Sequence, residues 1–193
     1  MKICVYSGSN SGNKQAYAEA AACLGRVLAR GAGHTLVYGG TTMGLMGRLA
    51  DAMLDSGGEV IGVIPQALFN KGMAHKKIND LKVVASMHSR KALMADLSEA
   101  FIALPGGIGT LEELFEMWTW AQLGFHNKPC ALLNVAGYYD SLIIFLDHIV
   151  SEAFVRPAHR DMLIVSPSAQ DILTRFSGYH APRASKWITA ACP

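Results

Sequence analysis

No stretch of the chain is apolar for long enough to cross a membrane. The longest candidate, residues 142–150, is interrupted by Asp147 and His148, and a spanning helix needs about 20 apolar residues. The first six residues, Met1 to Tyr6, lack the apolar core of a secretion signal, so the expectation is a cytoplasmic protein with no membrane partner. An excess of one charge is missing too. Seventeen basic residues face 15 acidic ones, for a net charge of +2. That balance offers no concentrated basic face, and no nucleic-acid partner is expected. Cysteine is scarce: Cys4, Cys23, Cys130 and Cys192 form no C-x-x-C pair, which argues against a zinc ribbon. Cys4 and Cys130 sit in apolar runs and are expected as small buried hydrophobes. His34, His75, His88, His126, His148, His159 and His180 are scattered rather than set at ligand spacing, so no metal is expected. No other cofactor is expected either. There is no internal repeat and no low-complexity tract.

What the chain does have is apolar residues, 51% of 193, enough for one domain with a substantial core. They come in alternation. Short β-rich runs at residues 2–7, 35–38, 59–64, 81–85, 100–104, 129–134 and 162–165 are separated by segments of helical period at residues 14–30, 44–56, 88–97, 110–123, 139–153 and 169–176. Gly31 and Gly33 are expected to stop the first helix. Apolar strands alternating with helices predict an α/β fold, a single doubly wound, Rossmann-like parallel sheet with helices on both faces. Residues 65–80 are polar and lack a period, which predicts a mobile surface loop. Residues 1–178 are expected to form one nucleotide-binding domain, and residues 179–193 a loosely held tail.

Glycine is plentiful, and much of it falls in three strand-to-helix turns. These are Ser7-Gly8-Ser9-Asn10-Ser11-Gly12, Tyr38-Gly39-Gly40-Thr41-Thr42-Met43-Gly44 and Pro105-Gly106-Gly107-Ile108-Gly109-Thr110. In a doubly wound sheet such turns share one edge, where ligands bind. Helix N-termini there turn free amides and a favourable dipole toward an anion. Any one loop is explained as well by turn geometry alone. Three in one short chain predict a cradle for a phosphate-bearing nucleotide, with Gly8, Ser9, Gly39, Gly40 and Gly44 among its contacts. None of the loops carries the G-K-[ST] of a P-loop or the G-x-G-x-x-G dinucleotide fingerprint.

Two motifs stay open on residue chemistry alone. Thr110-Leu111-Glu112-Glu113 has the form of a capping box, in which Thr110 caps a helix and Glu113 reaches back to its amide. Catalysis by Glu113 is an equal alternative. Glu112 suits the dipole of a first turn. Arg90-Lys91, expected at an exposed helix start, is either a solvated face or a pair of cations beside the phosphate cradle. The helix at residues 110–123 carries large apolar residues on too many sides for one buried face, which predicts a homodimer.

These residues also carry a resemblance. Residues 105–113 match P-G-G-x-G-T-x-x-E, residues 87–91 (Met-His-Ser-Arg-Lys) match M-H-x-R-K, and Tyr38-Gly39-Gly40 with Gly44-Leu45-Met46-Gly47 matches a third element. Together they resemble the LONELY GUY family of cytokinin riboside 5′-monophosphate phosphoribohydrolases, over nearly the whole chain. The resemblance implies hydrolysis of the N-glycosidic bond of a nucleoside 5′-monophosphate, an adenosine 5′-monophosphate with or without an N6 substituent, releasing free base (cytokinin or adenine) and ribose 5-phosphate. It implies Arg90 and Glu113 as catalytic residues. It implies substrate contacts at Lys91 and at Gly106, Gly107, Ile108, Gly109, Thr110, Leu111 and Glu112, and a homodimer. Two positions depart from the pattern: Ile108 stands where many relatives have Tyr, and Gly72 near where many have Glu. The rival readings are a general purine-monophosphate nucleosidase and a non-catalytic carrier of a phosphorylated cofactor such as molybdenum cofactor.

Overall fold

The computed structural model describes residues 1–30 and 33–182. Gly31, Cys192 and most of the expected tail lie outside the described residues. Strand β1 (Lys2–Tyr6) leads to helix α1 (Gln15–Arg30), β2 (Thr35–Tyr38), α2 (Gly44–Asp55), β3 (Glu59–Pro65), the short α3 (Gln66–Asn70), β4 (Asp80–Val84), α4 (Met87–Leu97) and β5 (Ala100–Ala103). There follow α5 (Ile108–Gln122), β6 (Cys130–Leu133), a 3-10 turn (Val135–Gly137), α6 (Asp140–Ser151), α7 (Pro157–Arg160), β7 (Leu163–Ser166) and α8 (Ala169–Ser177). The described residues form one seven-stranded sheet in the order β4-β3-β2-β1-β5-β6-β7, and every pairing is parallel. The expected doubly wound α/β sheet is therefore what forms.

Strand alternation explains why both faces need helices. Ile3 and Val5 of β1 point into a core shared with Leu24 and Leu28 of α1, Leu49 and Met53 of α2, and Ile172 of α8. Cys4 and Tyr6, one residue out of phase, point to the other face, against Met94 of α4, Leu114 and Trp118 of α5 and Leu146 of α6. A period of two places successive side chains on opposite faces, so a strand buried on both must be apolar throughout. The run Lys2–Tyr6 is apolar after its first residue for this reason.

Beside β1 the strand order turns back. The chain works outward from β1 to β4, then returns to place β5 on the other side of β1. The loops after β1 and β5 consequently leave in opposite directions and open a cleft, the usual ligand position in such sheets. Two backbone bonds tie the loops' roots together: the Gly8 amide donates to the Pro105 carbonyl at 3.1 Å, and the Leu104 amide to the Tyr6 carbonyl at 2.9 Å.

The segment after β3 departs from expectation. In place of a mobile loop it forms α3, a turn at Gly72 and a single bridge between Ala74 and Thr41. Gly72 has φ +72°, a left-handed conformation that an L side chain adopts only under strain. Glycine at this position therefore has a local geometric reason. Tyr179, the start of the expected tail, packs partly buried against the core.

Helices α1 and α2 cross closely at Gly25, where an added Cβ would lie 2.6 Å from the Leu49 carbonyl oxygen and 3.0 Å from the Met53 nitrogen. Backbone cannot yield as a side-chain tip does. Gly25→Ala, despite its better helix propensity, is expected to lower unfolding free energy by about 1–3 kcal/mol. Chemical denaturation checks this; an unchanged or higher midpoint would mean the helices part freely.

Candidate active site

The helix that carries Arg90 starts where Ser86 caps it, its Oγ accepting from the Ser89 amide at 3.0 Å. Starting α4 at Met87 brings Arg90 round to the inside of the first turn. It is 8% exposed, which corrects the expectation of an exposed helix start. Its Nε donates to the Val63 carbonyl of β3 at 3.0 Å, and one terminal nitrogen donates to Glu113 Oε1 at 3.1 Å. Gly39, at the end of β2, makes room for it: a Cβ there would lie 2.1 Å from an Arg90 terminal nitrogen.

The capping box does not form. Helix α5 is capped by Gly107, with no side-chain cap bond, and begins at Ile108. The glycine turn lets the helix start two residues before Thr110, which places Thr110 in the first turn, its amide bonded to the Gly107 carbonyl. Glu113 is therefore free of the cap and meets Arg90 instead, in a pair whose two side chains are only 10% and 12% exposed. Burial raises the Glu113 carboxyl above the usual carboxylate range, and the opposing pull of Arg90 lowers it less. Removing one partner strands the other in a site of low polarity, at a cost of about 3–5 kcal/mol. Arg90→Ala is thus expected to weaken the fold as well as the site.

Arg90 and Glu113 stand in a cleft of about 660 Å³ with Gly8, Ser9, Gly39, Lys91, Gly107, Ile108, Gly109, Thr110 and Glu112 in its wall. This volume is in the range of small-molecule sites. Four expected contacts are not part of that wall. Gly40 lies against Ile64 and Leu81 and accepts the His75 amide. Gly44 abuts the backbone of Ser9 and Asn10, Gly106 packs under Thr110, and Leu111 leans on the core. Lys91 reaches the cleft edge already engaged. Its ammonium contacts Glu112 and also Glu116, the latter at 3.1 Å, and the hydrogen bond to Glu112 holds it above the usual lysine range.

Several wall residues were not legible in the sequence. Ser7, the first residue of the loop after β1, has its Oγ buried and without a hydrogen-bond partner among the described residues. Met43, Met46, Met73 and Met87, with Leu68, supply an apolar side. Methionine adapts to flat, variable surfaces, but scattered methionines give no periodic signal. His75 anchors the segment that carries Leu68 and Met73, its amide donating to the Gly40 carbonyl at 2.9 Å. It is 3% exposed; its Nε2 pairs with Asp51 Oδ1 at 3.1 Å, and its Nδ1 accepts from the Lys77 amide at 3.2 Å. A neutral imidazole protonated on Nε2 satisfies both bonds. A lone histidine in a polar segment carries no such message by itself.

Glycine loops at the switch point of a parallel sheet, closing on a buried Arg–Glu pair, define a doubly wound α/β protein with a candidate active site in its cleft. The comparisons are more particular. The family model described as "Possible lysine decarboxylase" matches residues 46–176. Cytokinin riboside 5′-monophosphate phosphoribohydrolase LOG1 of Arabidopsis thaliana is 49% identical over 185 residues, covering 96% of this chain and 86% of that protein. LOG3 of the same plant is 46% identical over 191 residues, covering 99% and 88%. A probable phosphoribohydrolase of the same description, LOGL3 of Oryza sativa subsp. japonica, is 49% identical over 179 residues, covering 92% and 84%. The chain belongs to this phosphoribohydrolase family, the LONELY GUY family. In fold it also matches a molybdenum cofactor binding protein from Rippkaea orientalis, with a TM-score of 0.70, 19% identity and coverage of 92% and 96%. The Moco carrier protein of Chlamydomonas reinhardtii gives 0.68, 19%, 92% and 97%.

Gly39→Ala isolates the role of the guanidinium's seat. The added methyl displaces Arg90 from Glu113 while leaving every titratable group present. The expected result is a folded protein whose turnover falls at least ~10-fold, as misplaced catalytic groups lose rate steeply with distance. Unchanged turnover would show that the Arg90 position is not needed.

Proposed function

We propose that this chain hydrolyses the N-glycosidic bond of adenosine 5′-monophosphates, N6-substituted ones included, releasing free base and ribose 5-phosphate. The observation that carries the reading is the buried Arg90–Glu113 pair at the glycine-loop edge of the sheet, in a chain whose relatives at 46–49% identity are phosphoribohydrolases. In such a cleavage water attacks C1′, the C1′–N9 bond breaks with its electron pair leaving on the base, and water's proton passes to the base or to solvent. Positive charge builds at C1′ as the bond breaks. A carboxylate beside the ribose stabilises that charge and takes the proton from water. Burial strengthens Glu113 as a base by raising its proton affinity. Arg90 fixes its orientation and offers the remaining guanidinium hydrogens to phosphate or departing base. The amides at the start of α5 hold the 5′-phosphate, and the methionine side accepts the base and its N6 substituent.

The family model's description points elsewhere, to decarboxylation of lysine. A pyridoxal phosphate enzyme needs a lysine that gives up its proton to form a Schiff base. Lys91, in the cleft wall, is held protonated by two carboxylates, and the residues do not fit that group. A passive carrier is disfavoured by Glu113, because a cradle that only holds a phosphate has no use for a buried carboxylate. No helix among the described residues is long and apolar enough to cross a membrane, and Cys4 and Cys130 are buried free thiols, in keeping with a cytoplasmic enzyme.

The same reading makes the enzyme a homodimer. Within its own domain α5 buries Leu114, Met117 and Trp118, which accounts for one face. Beyond it Phe125, Ile144, Phe145 and Phe154 are 56–84% exposed, apolar side chains that a second copy would cover. Light scattering at micromolar concentration is expected to return twice the 20.7 kDa chain mass; a monomeric mass would refute the dimer.

The activity is tested by measuring free base released from a panel of nucleosides and their 5′-monophosphates. Monophosphates are expected to be cleaved and the ribosides hardly at all; equal rates would remove the phosphate anchor. Glu113→Gln, whose amide oxygen can still accept from Arg90, is expected to melt at a lower temperature but remain folded under assay conditions, and to lose at least ~100-fold in kcat/KM. In the wild type only the ionised carboxylate acts, so kcat/KM falls as pH drops through the Glu113 value, which burial sets above the ordinary carboxylate range. The variant's residual rate should lack that acid limb. A fully active Glu113→Gln enzyme would end the catalytic assignment.

A further inference from the structure

Behind the β5–α5 loop, three consecutive carbonyls are each occupied. The Tyr139 hydroxyl donates to the Leu104 carbonyl at 2.6 Å, the Gly8 amide to the Pro105 carbonyl at 3.1 Å, and the Tyr138 hydroxyl to the Gly106 carbonyl at 2.6 Å. In a trans peptide the C=O and the following N–H point to opposite sides. Fixing the Gly106 carbonyl on the Tyr138 side therefore turns the Gly107 N–H the other way. Tyr138 and Gly106 line a small recess of about 250 Å³ on one side of the loop. Gly107 borders both this recess and the main cleft, so its N–H faces the cleft.

We propose that Tyr138 is a positioning residue for the substrate's 5′-phosphate: its hydroxyl sets the Gly106–Gly107 peptide so that the Gly107 amide donates into the cleft. The inference rests on the phosphate-anchored reading of that cleft. Burial does not explain the tyrosine's placement, since Tyr138 is 41% exposed. The backbone before it is strained to aim it. Ala136 is left-handed at φ 50°, ψ 36°, a conformation costing a non-glycine residue about 1–2 kcal/mol. Asn134 clamps the turn, donating to Asp140 Oδ1 at 2.7 Å and accepting from the Tyr139 amide at 2.8 Å. Tyr17 then packs edge-on against the Tyr138 ring, with centroids 5.5 Å apart. Retained strain that delivers one side chain to one peptide is a mark of function.

Tyr139 supplies an internal control. Its hydroxyl holds the Leu104 carbonyl, but the next residue is Pro105, which has no N–H to aim. Loss of that buried bond should weaken the fold and leave phosphate binding alone. The experiment compares Tyr138→Phe and Tyr139→Phe with wild type in three measurements: calorimetric binding of ribose 5-phosphate, KM and kcat for adenosine 5′-monophosphate, and thermal melting. For Tyr138→Phe, KM and the ribose 5-phosphate Kd are expected to rise roughly three- to tenfold, the scale of one hydrogen bond. Its kcat should hold within about twofold, as for binding shared by ground and transition states, with little change in Tm. For Tyr139→Phe, Tm is expected to fall while both constants hold. A Tyr138→Phe enzyme with unchanged constants, or a Tyr139→Phe enzyme whose Kd rises as much, would overturn the proposal. A wild type that binds no ribose 5-phosphate overturns it too. A wild type that binds ribose 5-phosphate but releases no base overturns the proposed activity instead, and the calorimetric comparison still decides the role of Tyr138.

Discussion

The ion pair between Arg90 and Glu113 joins the two halves of the sheet. Arg90 belongs to α4 and is bonded to β3, on one side of the switch point; Glu113 belongs to α5, which follows β5 on the other. Neither charge tolerates its level of burial alone. Each constrains the elements that carry it: Ser86 must cap α4 at the right residue, Gly39 must lack a side chain, and α5 must begin at Ile108. Moving any of these by one residue takes a charged group away from its partner.

The glycine loops divide into two kinds once their surroundings are compared. Gly8, Gly39, Gly107 and Gly109 border the cleft. Gly44 and Gly106 are needed because the loops themselves pack within a Cβ's reach of one another, and Gly40 because β3 and β4 crowd it. Lining an open cleft and packing closely make the same demand on sequence, the absence of a side chain, although only the first leaves the backbone open to the cleft. The close packing serves the open positions, since amides are useful to an anion only when their direction is fixed in advance.

Polar side chains hold the cleft's borders from outside it. His75 fixes the α3 segment to α2 through Asp51, and Tyr138 and Tyr139 hold the β5–α5 loop from the 3-10 turn. The cleft proper is then lined by side chains suited to ligand contact: Ser7, whose hydroxyl has no partner among the described residues, a methionine-rich side, and the ion pair. Lys91, whose charge is answered by Glu112 and Glu116, reinforces the contact of α4 with α5 beside Arg90 and Glu113.

The sequence by itself determined the layout. Short, continuously apolar runs such as Lys2–Tyr6 alternating with segments of period about 3.6 leave a doubly wound parallel sheet as the arrangement that buries them all. The three glycine turns then mark its ligand edge, because periodicity and turn chemistry act between near neighbours. Tertiary structure alone decided what Glu113 meets. Thr110-x-x-Glu113 satisfies a local capping rule, and its release from that rule depended on where α5 starts and on Arg90, 23 positions away. It decided likewise that Arg90 is buried, that the segment after β3 is pinned rather than loose, and that His75 and Tyr138 govern loops far from them in sequence. Such outcomes depend on contacts across the sheet, whose energies are set by distance and burial in space and leave no period along the chain.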